Sequence, residues 1–127
     1  MSLPKRILVV DDDDDDREVF LEVVSDLDST IISNTAINGA DGLEKLKSFD
    51  ALPSVIFLDL NMPIMSGTEF LQKIKSMEHL KNIPIVIFST SSDEWAIKEV
   101  RALGATDFIT KPDKFKDWQT VLKPFIV

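Results

Sequence analysis

Cysteine is absent from the 127 residues, which excludes disulfides and thiolate metal sites and agrees with a reducing compartment. Positive charge is scarce: 14 lysines and arginines stand against 22 aspartates and glutamates, for a net charge of -8. A surface of that sign repels nucleic-acid phosphates and anionic lipid, so direct DNA binding is not expected, whereas cations and basic protein surfaces are suitable partners. No uninterrupted apolar run approaches the roughly 18 residues needed to cross a bilayer. The opening MSLPKRILVV has too short an apolar core for a secretory signal, and no small-residue cleavage pattern follows it. Internal repeats and Gly/Ser linkers are also lacking. Histidine occurs once, as His79; it is expected at the exposed end of a helix, with no chemistry. What remains is the composition of an ordinary cytoplasmic globular domain, 44% hydrophobic and 28% charged, long enough to bury a core of its own.

What the chain does contain is an alternation of two patterns. Short β-branched or apolar runs occur at Ile7–Val10, Thr30–Ala36, Val55–Leu58, Ile85–Phe88 and Phe108–Thr110. Longer stretches with helical spacing separate them. The first helix carries the stripe Val19, Phe20, Val23, Val24, Leu27. The second runs from about Gly39 to Ser48, with Asn38 as its cap. The third opens with Ser66-Gly-Thr-Glu69 and buries Phe70, Leu71, Ile74 and Met77. The fourth opens near Ser91-Ser-Asp-Glu94, presents Ile97, Val100 and Leu103, and stops at Gly104. The last presents Phe115, Trp118, Val121 and Leu122 and is expected to end before Pro124. Five strands alternating with five helices predict an α/β domain with a mostly parallel sheet, covered by helices on both faces. VIFL and IVIF are apolar throughout, as doubly covered strands should be, whereas Ser33, Asn34 and Thr35 suit an edge.

Ligands of open α/β sheets bind beyond the carboxyl ends of the strands. At those ends stand Asp11 and Asp12 after the first strand, Asp59 after the third, Ser89 after the fourth, and Lys111 followed by Pro112 after the fifth. Carboxylates crowded on one edge repel, and a hard divalent cation is the simplest way to hold them. An all-oxygen set favours Mg²⁺, with Mn²⁺ as the alternative. A lysine ammonium and a serine hydroxyl are donors suited to phosphoryl oxygens, and a carboxylate in such a setting can be the nucleophile that forms an aspartyl phosphate.

In ILVVDDD, NGADGLEKL, VIFLDLNMPIMSG, IPIVIFSTSS and GATDFITKP, taken in that order, the chain resembles the receiver domain of two-component response regulators, of the single-domain, chemotaxis-regulator kind. The resemblance spans essentially all of residues 1–127 and implies a doubly wound, flavodoxin-like sheet of order 2-1-3-4-5. It further implies that Asp59 accepts phosphoryl from a histidine kinase or phosphotransfer protein, that Asp12 is the direct metal ligand, and that Asp11 supports the ion through water. By the same resemblance the Asn61 carbonyl completes the protein's share with Asp59. Ser89 is the switch hydroxyl, Lys111 contacts the phosphoryl group through a loop with a cis Lys111–Pro112 bond, and Phe108 is the switch aromatic. Pro63 and Gly67 shape the metal-side turn. The expected readout face is the fourth helix, fifth strand and fifth helix. With no room after Lys111-Pro112 for an output domain, a stand-alone receiver is expected, not an enzyme beyond assisting its own phosphorylation and dephosphorylation. Thr90 departs from the usual Ala or Gly, and Phe108 from the common Tyr.

A Mg²⁺-dependent phosphohydrolase is the competing reading, with Asp11 as nucleophile in an Asp-x-Asp pattern, but no cap insertion is visible to form its substrate pocket. Blander roles stand beside the sharp ones: Asp59 as a loop acid, Lys111 as a solvated lysine, Phe108, Trp95 and Trp118 as plain packing. Of the six aspartates Asp11–Asp16, two are expected to face a cation. Asp13 is assigned to the turn, Asp14 to the helix N-cap, and Asp15 and Asp16 to the first turn, where acids favour the positive end of the helix.

Overall fold

A computed structural model describes residues 5–90 and 93–126. Strands β1 (Arg6–Val10), β2 (Ile32–Ala36), β3 (Val55–Leu58), β4 (Ile85–Ser89) and β5 (Asp107–Thr110) alternate with helices α1 (Asp14–Leu27), α2 (Gly39–Ser48), α3 (Gly67–Ser76), α4 (Glu94–Ala102) and α5 (Phe115–Ile126). All neighbouring strands are parallel, in the order β2-β1-β3-β4-β5. The expected sheet is therefore the one formed, with the polar β2 at an edge.

The period of two along each strand divides the interior into two cores. Leu8, Val10, Ile56, Leu58, Ile85 and Ile87 face Leu46 of α2, Phe70, Leu71 and Ile74 of α3, and Val100 of α4. Ile7, Val9, Phe57, Val86 and Phe88 face Phe20, Val23 and Val24 of α1 and Trp118, Leu122 and Ile126 of α5. In the second core Phe20 lies 4.8 Å from Phe57 and 5.8 Å from Phe88, and Trp118 meets Phe88 edge-on at 5.0 Å. Trp118 is thus core, whereas Trp95 stands 80% exposed on α4.

Helix ends follow local chemistry. Asn38 and Ser66 cap α2 and α3 as expected, accepting from Asp41 N–H and Glu69 N–H. Gly104, at φ +105°, closes α4 in a Schellman arrangement, with Gly104 N–H on the Arg101 carbonyl and Ala105 N–H on Val100. Three expectations are corrected. The cap of α1 is Asp13, not Asp14: its extended backbone lets the side chain accept from Asp16 N–H. The cap of α4 is Asp93, accepting from Trp95 N–H; Ser91 and Ser92 lie outside the described residues. Helix α5 runs through Pro124 to Ile126. The missing proline donor falls in the last turn, where buried Leu122 and Ile126, four apart, and Phe125 against Phe57 hold the helix on the sheet. Met77, the C-cap of α3, is half-buried and packs against the α2–α3–α4 core.

Candidate functional site

Each strand end places a side chain by extending the backbone ladder by one residue. Asp11 N–H donates to Ala36 O at 3.0 Å, Asp59 N–H to Val10 O at 2.9 Å, and Lys111 N–H to Ser89 O at 2.8 Å. Carboxylate oxygens of Asp11, Asp12 and Asp59 consequently lie within 4.8 Å of one another. Asp11 and Asp59 are 4% and 7% exposed, while Asp12 is open to solvent. Lys111 reaches in from the far edge, its side chain 5% exposed, with Nζ 2.7 Å from Asp11 Oδ2 and 3.9 Å from Asp59 Oδ2. Ser89 is fully buried, and among the described residues its Oγ has no hydrogen-bond partner. The sequence-predicted residues Asp11, Asp12, Asp59 and Lys111 are therefore brought together, with Ser89 at the end of the adjacent strand.

The loop after Asp59 is shaped by two constraints. Gly67 N–H donates to Leu60 O at 3.0 Å, and a Cβ at Gly67 would lie 2.3 Å from Asp59 O, so only glycine permits this close approach. Ahead of it, Met65 N–H donates to Pro63 O at 2.7 Å across Ile64 at φ +70°, a γ-turn around a β-branched residue, which is a strained conformation. Ile64 is 83% exposed. Asn61 and Thr90 are exposed.

Phe108 is half-buried, packs against the α2–α3–α4 core and pairs with Ile87 in the sheet. The Lys111–Pro112 peptide is trans, correcting the expected cis bond; trans lies lower even before proline, and here the Pro112 carbonyl accepts from Trp118 Nε1 at 2.9 Å.

Two residues make contacts that were not foreseen. Asp16, expected only to favour the helix start, accepts from Lys111 Nζ at 2.7 Å. Arg17 donates to Asp11 O at 2.7 Å and pairs with Asp14. A helical Cβ tilts toward the helix N-terminus, so an acid at the third position of α1 points back over the strand ends; that geometry is the signal that could have found Asp16.

The electrostatics follow from burial. Burial pushes the Asp11 carboxyl up to about 6, against the lowering effect of its bonds from Lys111 and Asp13 N–H, and the nearby Asp59 charge adds to the rise. Burial pulls Lys111 down, but hydrogen bonds to Asp11 and Asp16 and the charges of Asp11 and Asp59 outweigh it, leaving the ammonium above its ordinary value. Three acids around the Lys111 ammonium, with Asp12 beside two of them, leave the pocket with an excess of negative charge. Its hard oxygen donors suit a divalent cation, and the orphaned Ser89 hydroxyl suits a further oxygen acceptor.

A family model described as the response regulator receiver domain matches residues 7–123. The chain belongs to that family. Receiver domains operate in two-component signalling, and similar sequences carry the domain in several settings. The chain is 40% identical over 111 residues to a protein-glutamate methylesterase/protein-glutamine glutaminase of Clostridium acetobutylicum, covering 86% of this chain but only 31% of that protein. It is 34% identical over 109 residues to chemotaxis protein CheY of Treponema pallidum, covering 86% and 74% of the two. Among solved structures, the phosphorylated cyanobacterial phytochrome response regulator RcpA superposes with a TM-score of 0.89 at 29% identity, over 96% of this chain and 91% of that one. The Mn²⁺-bound form of response regulator Rcp1 gives 0.85 at 29%, over 97% and 95%. Nothing here supports the phosphohydrolase alternative. In this receiver domain Asp11 has Oδ1 accepting from Asp13 N–H and Oδ2 from Lys111, whereas Asp59 Oδ2 stands outside hydrogen-bond range of the same ammonium.

Proposed function

We propose that residues 1–127 act as a phosphorylation-controlled switch in which Asp59 is the phosphoacceptor. The observation that carries this reading is the Asp59 carboxylate itself: nearly buried, within 4.8 Å of two other carboxylates, and 3.9 Å from a buried ammonium. An Asp59 oxygen attacks phosphorus, the bond from phosphorus to the donor breaks, and its electron pair leaves with the donor, a phosphohistidine imidazole of a histidine kinase or phosphotransfer protein. Asp11, Asp12 and Asp59, with the Asn61 carbonyl, would hold Mg²⁺, or Mn²⁺ as in the Rcp1 structure; the cation supplies neutralisation of phosphoryl charge. Lys111 donates to a phosphoryl oxygen, and Ser89 to another once its hydroxyl leaves its buried position.

Such contacts, made only in the phosphorylated form, bias a two-state equilibrium. Phe108, packed beside Ile87 on the strand leading to Lys111, is the aromatic that follows Ser89. Trp95 and Phe115, exposed on α4 and α5, mark the face that a downstream protein would read; relay of the phosphoryl group to another histidine is the other output. The domain assists its own phosphorylation and hydrolysis and processes no other substrate. A cytoplasmic setting belongs to this reading, which the absence of cysteine favours. Incubation with Mg²⁺ and acetyl phosphate, followed by mass spectrometry, is expected to place one phosphoryl group on Asp59 and none on Asp59→Asn. Labelling at Asp11, or turnover of a phosphomonoester by Asp59→Asn, would refute the assignment.

A further inference from the structure

Asp16 is the third residue of α1, and its two polar ends are committed in different directions. Its N–H donates to the Asp13 cap at 2.9 Å, while Oδ2 accepts from Lys111 Nζ at 2.7 Å. Its side chain is 28% exposed against 5% for Lys111. Two carboxylates, one at the end of β1 and one on α1, thus grip the same ammonium from 2.7 Å, and a third, Asp59, stands at 3.9 Å. An ammonium has three donors; with two on Asp11 and Asp16, the third is left for an oxygen arriving beside Asp59.

We propose that Asp16 is a positioning residue for Lys111, anchoring its ammonium within reach of a phosphoryl oxygen on Asp59 but short of the carboxylate that must act as nucleophile. The inference rests on the phosphoacceptor reading of Asp59. Asp11 cannot perform this task alone. It belongs to the carboxylate trio, so a cation bound there draws on its charge and loosens its hold on the lysine. Asp16 lies outside the trio and keeps its charge for Lys111. Without Asp16, the ammonium turns to the remaining acids, and a close pair with Asp59 ties up the attacking oxygen.

The test uses the full chain as wild type, Asp16→Asn, Asp16→Glu, Asp15→Asn and Asp59→Asn, with three readouts: the rate of phosphorylation by acetyl phosphate at saturating Mg²⁺, Mg²⁺ affinity by calorimetry, and the ¹⁵N signal of the Lys111 ammonium. Asp16→Asn is expected to slow phosphorylation about tenfold, as loss of an orienting partner does, and to broaden or shift the ammonium signal. Its Mg²⁺ affinity should change by less than about threefold, since the direct trio is intact. Asp15→Asn should match wild type, and Asp16→Glu, which keeps the charge, should recover most of the rate and retain the signal. An ammonium signal and rate indifferent to Asp16→Asn, or equal slowing in Asp15→Asn, overturns the proposal. If Asp16→Asn melts well below wild type, the ammonium signal of Asp16→Glu decides: its loss at undiminished rate overturns the inference. Failure of wild type to label at Asp59 would instead remove the reading beneath it.

Discussion

Asp12 is solvent-exposed and contributes one of three convergent carboxylate oxygens, whereas Asp15, one turn along, is exposed on the outside of α1. Adjacent acids in one run therefore differ in what their loss removes. Asp12→Ala is expected to weaken Mg²⁺ binding by more than about tenfold and Asp15→Ala by less than about twofold, measured by calorimetric titration. Equal losses would show that general negative charge, not geometry, attracts the ion. Asp11, Asp12, Asp59 and Lys111 were legible in the sequence because a strand end fixes where its next residue points. Asp16 was not, because the lysine it meets lies 95 positions away and a run of identical acids gives no clue to which one turns inward. Asp14 was misassigned as the cap for a related reason: Asp13 and Asp14 offer the same side chain, and only the extended backbone at Asp13 separates them.

At the level of elements, the segment from β3 to α3 carries the tightest steric demand. A methyl group at residue 67 would sit 2.3 Å from the Asp59 carbonyl and 2.7 Å from Leu60 Cα, both backbone atoms that cannot swing aside. Gly67→Ala is expected to destabilise the protein by about 2 kcal/mol or more and to lower the phosphorylation rate, since any relief must move Asp59. Urea denaturation and the acetyl phosphate assay would check it; an unchanged midpoint with normal labelling would contradict the packing argument. Existence and order of all ten elements followed from hydrophobic period. Their ends were harder. Thr30 was expected in β2, but its N–H and Oγ1 bond to Asp28, so β2 starts at Ile32, and α5 outlasts Pro124 because packing on the sheet overrides a local penalty that the sequence displays alone.

For the molecule as a whole, the four carboxylates of Asp11, Asp12, Asp16 and Asp59 outnumber the one ammonium at this edge, a repulsion that a bound divalent cation would relieve. On the proposed metal site, Mg²⁺ at about a hundredfold excess over Kd is expected to add about 2.7 kcal/mol of stability, which corresponds to a rise in Tm of about 10 °C in a domain of this size. The effect depends on pH. Asp11, raised from 3.8 to about 6, holds its proton more tightly folded than unfolded, so without metal its contribution favours the fold at low pH and is lost as pH rises through about 6. Cation binding needs the ionised form. The Mg²⁺-induced rise in Tm should therefore be larger at about pH 7.5 than at about pH 5, by differential scanning fluorimetry; a rise independent of pH would place Asp11 outside the metal's reach.

The Lys111 ion pairs join residues 100 and 95 apart in the chain, and β5 reaches the sheet only through β4. Closing loops of that span is among the costlier and slower events in folding. A chain with β1 to β4 in place already holds its acids at one edge but has no ammonium among them. On the role proposed for Lys111, competence to take up phosphoryl is complete only once β5 has joined β4, so that the chemistry would report a finished sheet.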